Sequence, residues 1–119
     1  MSLLESLKEA LLRIDNHVCY GKCFDSFTEE HGWNIIVFDR ESIKKKNRDI
    51  YRVFNVYIVR ENCIDEGLDI KIIKEVEKST TLKLINDKDM QYNYIRKGDT
   101  DDVVEILTLS FAKTEICQV

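Results

Sequence analysis

The chain has 119 residues, enough for one domain with a real core, and its 44% hydrophobic and 34% charged content is that of a globular protein rather than a disordered or fibrous one. With 18 basic and 22 acidic residues the net charge is −4, which argues against general capture of a polyanion, so nucleic acid is not the expected partner. No apolar stretch reaches the roughly 18 residues of a membrane span, and Met1 leads straight to Glu5, Lys8 and Glu9 instead of a signal-peptide core; the expected location is the cytoplasm.

Leu4, Leu7, Leu11 and Ile14 recur at spacings of three and four, which predicts an amphipathic helix over residues 3 to 15. Ser2 and Glu5 fit a capping box, and Glu9 and Arg13 fit a favourable i,i+4 pair. Residues 17 to 24 read as a short strand broken at Gly21, followed by a polar loop through Gly32. Residues 33 to 40 and 50 to 61 are rich in aromatic and β-branched side chains and form a long predicted β-hairpin, with the charged run 41 to 49 as its tip.

In the second arm Phe54, Val56 and Ile58 point one way and Val53, Tyr57 and Val59 the other, so this strand wants cover on both faces. A second helix over residues 65 to 79 supplies one cover through Leu68, Ile72, Ile73 and Val76. Asp65, Glu66 and Asp69 near its start and Lys74 and Lys78 near its end suit its dipole. After an ambiguous run at 82 to 85, strands over 90 to 97 and 103 to 116 flank a polar turn. The predicted fold class is α+β in one domain spanning residues 1 to 119, a mostly antiparallel sheet with two long hairpins packed on two amphipathic helices, in the order α-β-β-β-α-β-β. Proline is absent, and no repeat or linker marks a boundary.

Size adds a constraint: fourteen strand residues span about 46 Å, whereas a compact domain of this length is only about 35 Å across. The closing strand must therefore bend, shorten or reach beyond the domain. Protruding apolar hairpins are costly in a monomer, and packing against another subunit removes that cost.

Chemistry-bearing constellations are sparse. His17, Cys19, Cys23 and His31 combine zinc-compatible side chains, but their spacing fits no zinc pattern, so they are read as packing and loop residues and no metal or other cofactor is expected. Cys19, Cys23, Cys63 and Cys117 are expected to be thiols, as in a reducing compartment. Asp99, Asp101 and Asp102 lack the glycine and closing glutamate of an EF-hand and read as a solvated turn. With no nucleophile–base pair, phosphate loop or paired carboxylates at telling spacing, the chain is read as a non-enzyme with no catalytic residues. The candidate contact residues are Lys44, Lys45, Lys46, Asn47 and Arg48 at the hairpin tip, with Tyr51 and Tyr94 as interface aromatics.

The order of elements resembles the small tail-terminator and tail-completion (head-tail joining) proteins of tailed bacteriophages and prophage elements. The resemblance runs from Leu3 to Ile116: a short amphipathic helix ending before His17-Val-Cys-Tyr-Gly21, the hairpin Trp33 to Glu61, one helix Asp65 to Ser79, and the closing Thr100-Asp-Asp-Val-Val-Glu-Ile-Leu-Thr-Leu-Ser-Phe111. It implies a structural protein that forms a ring, usually of six subunits, capping the tail tube and meeting the head connector, first in the host cytoplasm and then in the virion. Its partners would be other copies of itself, the tube protein and the connector, with loop 41 to 49 facing the tube or a neighbour. The alternative reading is a small cytoplasmic protein-binding or regulatory module that uses an exposed strand edge and the basic loop.

Overall fold

The structure, a computed structural model, describes residues 2 to 21, 32 to 96 and 101 to 116. Helix α1 spans Leu3–Leu12 and strand β1 Val18–Tyr20. Strands β2 (Ile35–Lys46) and β3 (Asp49–Glu61) form the long hairpin. Helix α2 spans Leu68–Ser79; strands β4 (Lys83–Leu84), β5 (Gln91–Arg96) and β6 (Val103–Ile116) follow. The α+β class and the mostly antiparallel sheet are as the sequence predicts, with the ambiguous run at 82 to 85 supplying the two-residue β4.

Helix α1 starts where expected: the Glu5 amide donates to the Ser2 hydroxyl at 3.1 Å, satisfying one of the first-turn amides. It ends three residues earlier than predicted, with Arg13 as its C-cap, and the Arg13 guanidinium reaches Glu75 of α2 at 2.9 Å and the Ser79 hydroxyl at 2.9 Å. The expected i,i+4 partner Glu9 gives way to a contact that locks the two helices together. Helix α2 also starts late, because Gly67 adopts the left-handed conformation with φ 94° and sets the entry; Asp65 and Glu66 therefore precede the helix.

The sheet order is β1-β2-β3-β6, with β4 and β5 both paired to the outer edge of β6. Among the described strands only β1 runs parallel to its neighbour, Val18 lying beside Ile36 and Tyr20 beside Phe38. Strand β3 is paired on both sides from Asp49, opposite Lys46 and Ile116, to Val59, opposite Ile35 and Ile106, and its last two residues pair with β6 alone. Both helices cover one face. There Leu7 and Leu11 of α1, and Ile72 and Val76 of α2, pack with Phe38, Val56, Ile58 and Phe111 in one buried core. Among the described residues no helix covers the opposite face, which carries a second buried cluster of Ile35, Val59 and Val104, flanked by Trp33, Val37, Tyr57 and Ile106.

The charged run at 41 to 46 is strand rather than loop. A bulge between Arg40 and Ser42 shifts the register by one residue, and β2 then continues to Lys46. The tip is thus the two residues Asn47 and Arg48, with Asn47 at φ 54°, a conformation asparagine tolerates better than most residues. Of the options that strand length left open, β6 takes the one of reaching beyond the core: the molecule measures 54 × 28 × 25 Å. Among the described residues no helix is long and apolar enough to cross a membrane.

Candidate functional site

The part of the hairpin that outruns the helices is built from residues 42 to 52 and 113 to 116. Helical cover ends level with Lys113, which shares a surface pocket with Leu3, Ser6 and residues 78 to 81. From there to Arg48 the three strands β2, β3 and β6 extend about 15 Å farther as a bare blade. On the blade Lys44, Lys45, Asn47 and Arg48 are exposed, as the sequence predicts for a contact tip; of Lys46 only the backbone is described. Ile43 lies on the helix-side face next to Arg52 and Lys113 and is 63% exposed.

Tyr51 and Tyr94, the two aromatics singled out from sequence, have different surroundings. Tyr51 is half-buried at the base of the blade and lines an open groove of about 580 Å³ with Leu84, Ile85, Asp87 and Thr114. Tyr94 is 60% exposed on β5, where a hydrogen bond to Glu105 pushes its phenol above its ordinary value. Glu105 also accepts the Ile64 amide at 2.9 Å, so it ties β5 to the segment leading into α2.

A polar string crosses this second face of the sheet behind the blade. The Ser110 hydroxyl donates to Asn55 Oδ1 at 2.7 Å, Asn55 Nδ2 donates to Glu41 Oε1 at 3.2 Å, and Lys88 Nζ donates to the same oxygen at 3.0 Å. Lys88 sits in the β4–β5 connection, so this contact draws that connection back across β6 and β3. Its ammonium, then the Asn55 amide, hold the Glu41 carboxyl below its ordinary value. Nearby, Tyr57 donates to Asp39 at 3.1 Å, and burial together with the Asp39 charge pushes its phenol up. Each buried side-chain polar atom in the described residues has a partner, and the string ties the bulge to β3, β6 and the β4–β5 connection.

The cysteine reading needs correction. Cys19 is disulfide-bonded, while Cys63 is a free, exposed thiol. Expectation from compartment alone treated the four cysteines alike; their positions separate them. A sulfur held in a disulfide is neither a thiolate ligand nor a nucleophile, so the His17–Cys19 pairing loses the chemistry that made it a candidate. Cys23, His31 and Asp99 lie outside the described residues; Asp101 and Asp102 are exposed.

Comparison with the models of known protein families and with curated protein sequences finds no match. What the molecule does is therefore argued from its surfaces.

Sequence reasoning missed three of these. Strand β5 is exposed at all six residues, and Met90, Tyr92, Tyr94, Ile95 and Val103 gather apolar surface along it. Among the described residues no strand pairs with its outer edge. The second is the basic extension contributed by β6, since Lys113 lies 65 positions from Arg48 in sequence and beside Arg52 in the sheet. The third is the acidic end of the molecule opposite the blade, where Asp65, Glu66, Asp101 and Asp102 are all exposed. Alternation in 91 to 96 was a usable signal for the first; nothing local encodes the other two.

Proposed function

We propose that this chain is a structural assembly protein of a phage tail or neck, or of a phage-like prophage element, forming a ring that caps the tail tube and joins it to the head connector. The observation that carries the reading is the blade. Three strands, the central one hydrogen-bonded on both sides, run past the last helical cover, with Ile43 and four basic residues at their end, in a molecule 54 Å long. An isolated domain gains nothing from ordering such an extension, which buries little apolar area against a conformational cost of about 1–2 kcal/mol per residue. Contact with a neighbouring subunit or the tube supplies the missing burial. The reading assigns the protein to the host cytoplasm during assembly and to the particle afterwards.

Light scattering across concentration, with and without a tail-tube protein, tests it: oligomers of defined size are expected, and a strict monomer that ignores the tube sinks the proposal. A second reading, a peptide-binding module, is favoured by β5, whose open edge and exposed Tyr92 and Tyr94 suit an added extended strand. That reading expects a monomer whose capture of apolar extended peptides on an array is lost in Tyr94→Lys.

A further inference from the structure

Charge is segregated along the long axis in a way the chain total conceals. Segments 42 to 52 and 112 to 116, which the sheet brings together as the blade, contain six basic and two acidic residues; since the whole chain carries −4, the remaining residues carry −8. The far end of the same strands is the acidic counterpart. Glu61 ends β3 there, about 40 Å from Asp49 along the strand, and Asp102 precedes β6; the two line a cleft of about 110 Å³ with Asn62 and Val103. Asp65, Glu66 and Asp101 are exposed around it. Two cations stand near this end: Arg60 is engaged, donating to Asp15 at 2.7 Å and to the carbonyls of Ile35 and Val59, and the exposed Arg96 lies opposite Val103 on β5, offsetting one of the acidic charges.

We propose that a second copy of this chain docks head to tail on the first, the basic blade tip of one copy seated against the acidic end of the next. This rests on the assembly reading above and names its surfaces. Charge decides the geometry. A two-fold dimer through the blade would set +4 against +4, and one through the far end would oppose like charges as well, whereas head-to-tail contact pairs opposite signs at every joint. Such a heterologous contact repeats, so it closes into a ring when the rotation permits. Ile43, exposed beside the cationic residues, provides an apolar anchor inside the charged rim. Long-range attraction between unlike ends also speeds encounter, an effect that salt removes beyond a Debye length of about 8–10 Å.

The test is charge exchange in the full chain, followed by sedimentation velocity. One variant carries Lys44→Glu, Lys45→Glu and Arg48→Glu; the other carries Asp65→Lys, Glu66→Lys and Asp101→Lys. All six sites are exposed, and circular dichroism confirms that each variant folds. Each variant alone should self-associate at least about tenfold more weakly than wild type, and an equimolar mixture should recover association, because reversed tips then meet reversed ends and native tips meet native ends, opposite in sign at each joint. Raising salt from low to about 0.5 M should weaken wild-type association by a similar factor. A wild type that associates equally well at both salt concentrations and in both variants overturns the head-to-tail contact while leaving the assembly reading intact. A wild type that stays monomeric at all concentrations, alone and with the tube, overturns both. If only the tip variant loses association, the mixture fails to recover, and wild type binds heparin through the tip, the partner is a polyanion and this inference is wrong.

Discussion

At single residues the informative interactions are those that join segments distant in sequence. The Arg60–Asp15 pair is the clearest, with side chains only 18% and 14% exposed and Arg60 spending its remaining donors on two backbone carbonyls. Replacing Arg60 by leucine leaves the Asp15 charge shielded from water without its partner, at an expected cost of about 3 kcal/mol in urea unfolding. Glu41 makes a smaller, pH-dependent contribution. Its folded value lies below the ordinary 4.5, so the stabilisation is present above pH 4.5 and is lost as pH falls through the folded value. Because the side chain is 40% exposed, the effect is under about 1 kcal/mol, and Glu41→Gln should flatten that part of the stability profile between pH 5 and pH 3 measured against wild type.

At the level of elements, stability and surface function separate along β6. Its helix-side residues Leu107, Leu109 and Phe111 are buried, and Phe111→Ala should cost about 3–5 kcal/mol by chemical denaturation. On the blade, Ile43→Lys exchanges one solvent-facing side chain for another, so stability should move by less than about 0.5 kcal/mol while self-association falls; a large loss of stability would show that the blade is packed within the monomer after all. Element types were legible before any coordinates. The stripe Leu4, Leu7, Leu11 marked α1, and alternation in 103 to 116 marked β6 to the residue. Boundaries failed where a local device intervened: Gly67 delayed α2, and the bulge at Arg40/Ser42 turned a presumed charged loop into strand.

For the whole molecule, shape and charge carry the argument. The Cα radius of gyration is 15.3 Å, against about 13–14 Å for a compact domain of this length. Small-angle scattering of the monomer, taken dilute and at high salt, should give a pair-distance distribution extending past 50 Å; a compact profile ending near 35 Å would remove the blade and the proposals built on it. The net charge of −4, which argued against general capture of a polyanion, is only a chain total. Folding instead concentrates six basic residues at one end, three from the end of β2, one from the turn, one from β3 and one from the end of β6.

What the sequence determined by itself was the inventory: two amphipathic helices, a long hairpin, a fourteen-residue closing strand too long for a globule of this size, and an exposed basic tip. These follow from periodicity, charge and rise per residue, all of which act over a few neighbours. Only the tertiary structure decided that β6 pairs with all of β3, that both helices share one face, that β5 is left as an open edge, that Cys19 is oxidised, and that basic and acidic ends stand about 40 Å apart. Each of these depends on which distant segments meet. Strand pairing is specified by the shared burial of whole faces, and no window of neighbouring residues contains that information.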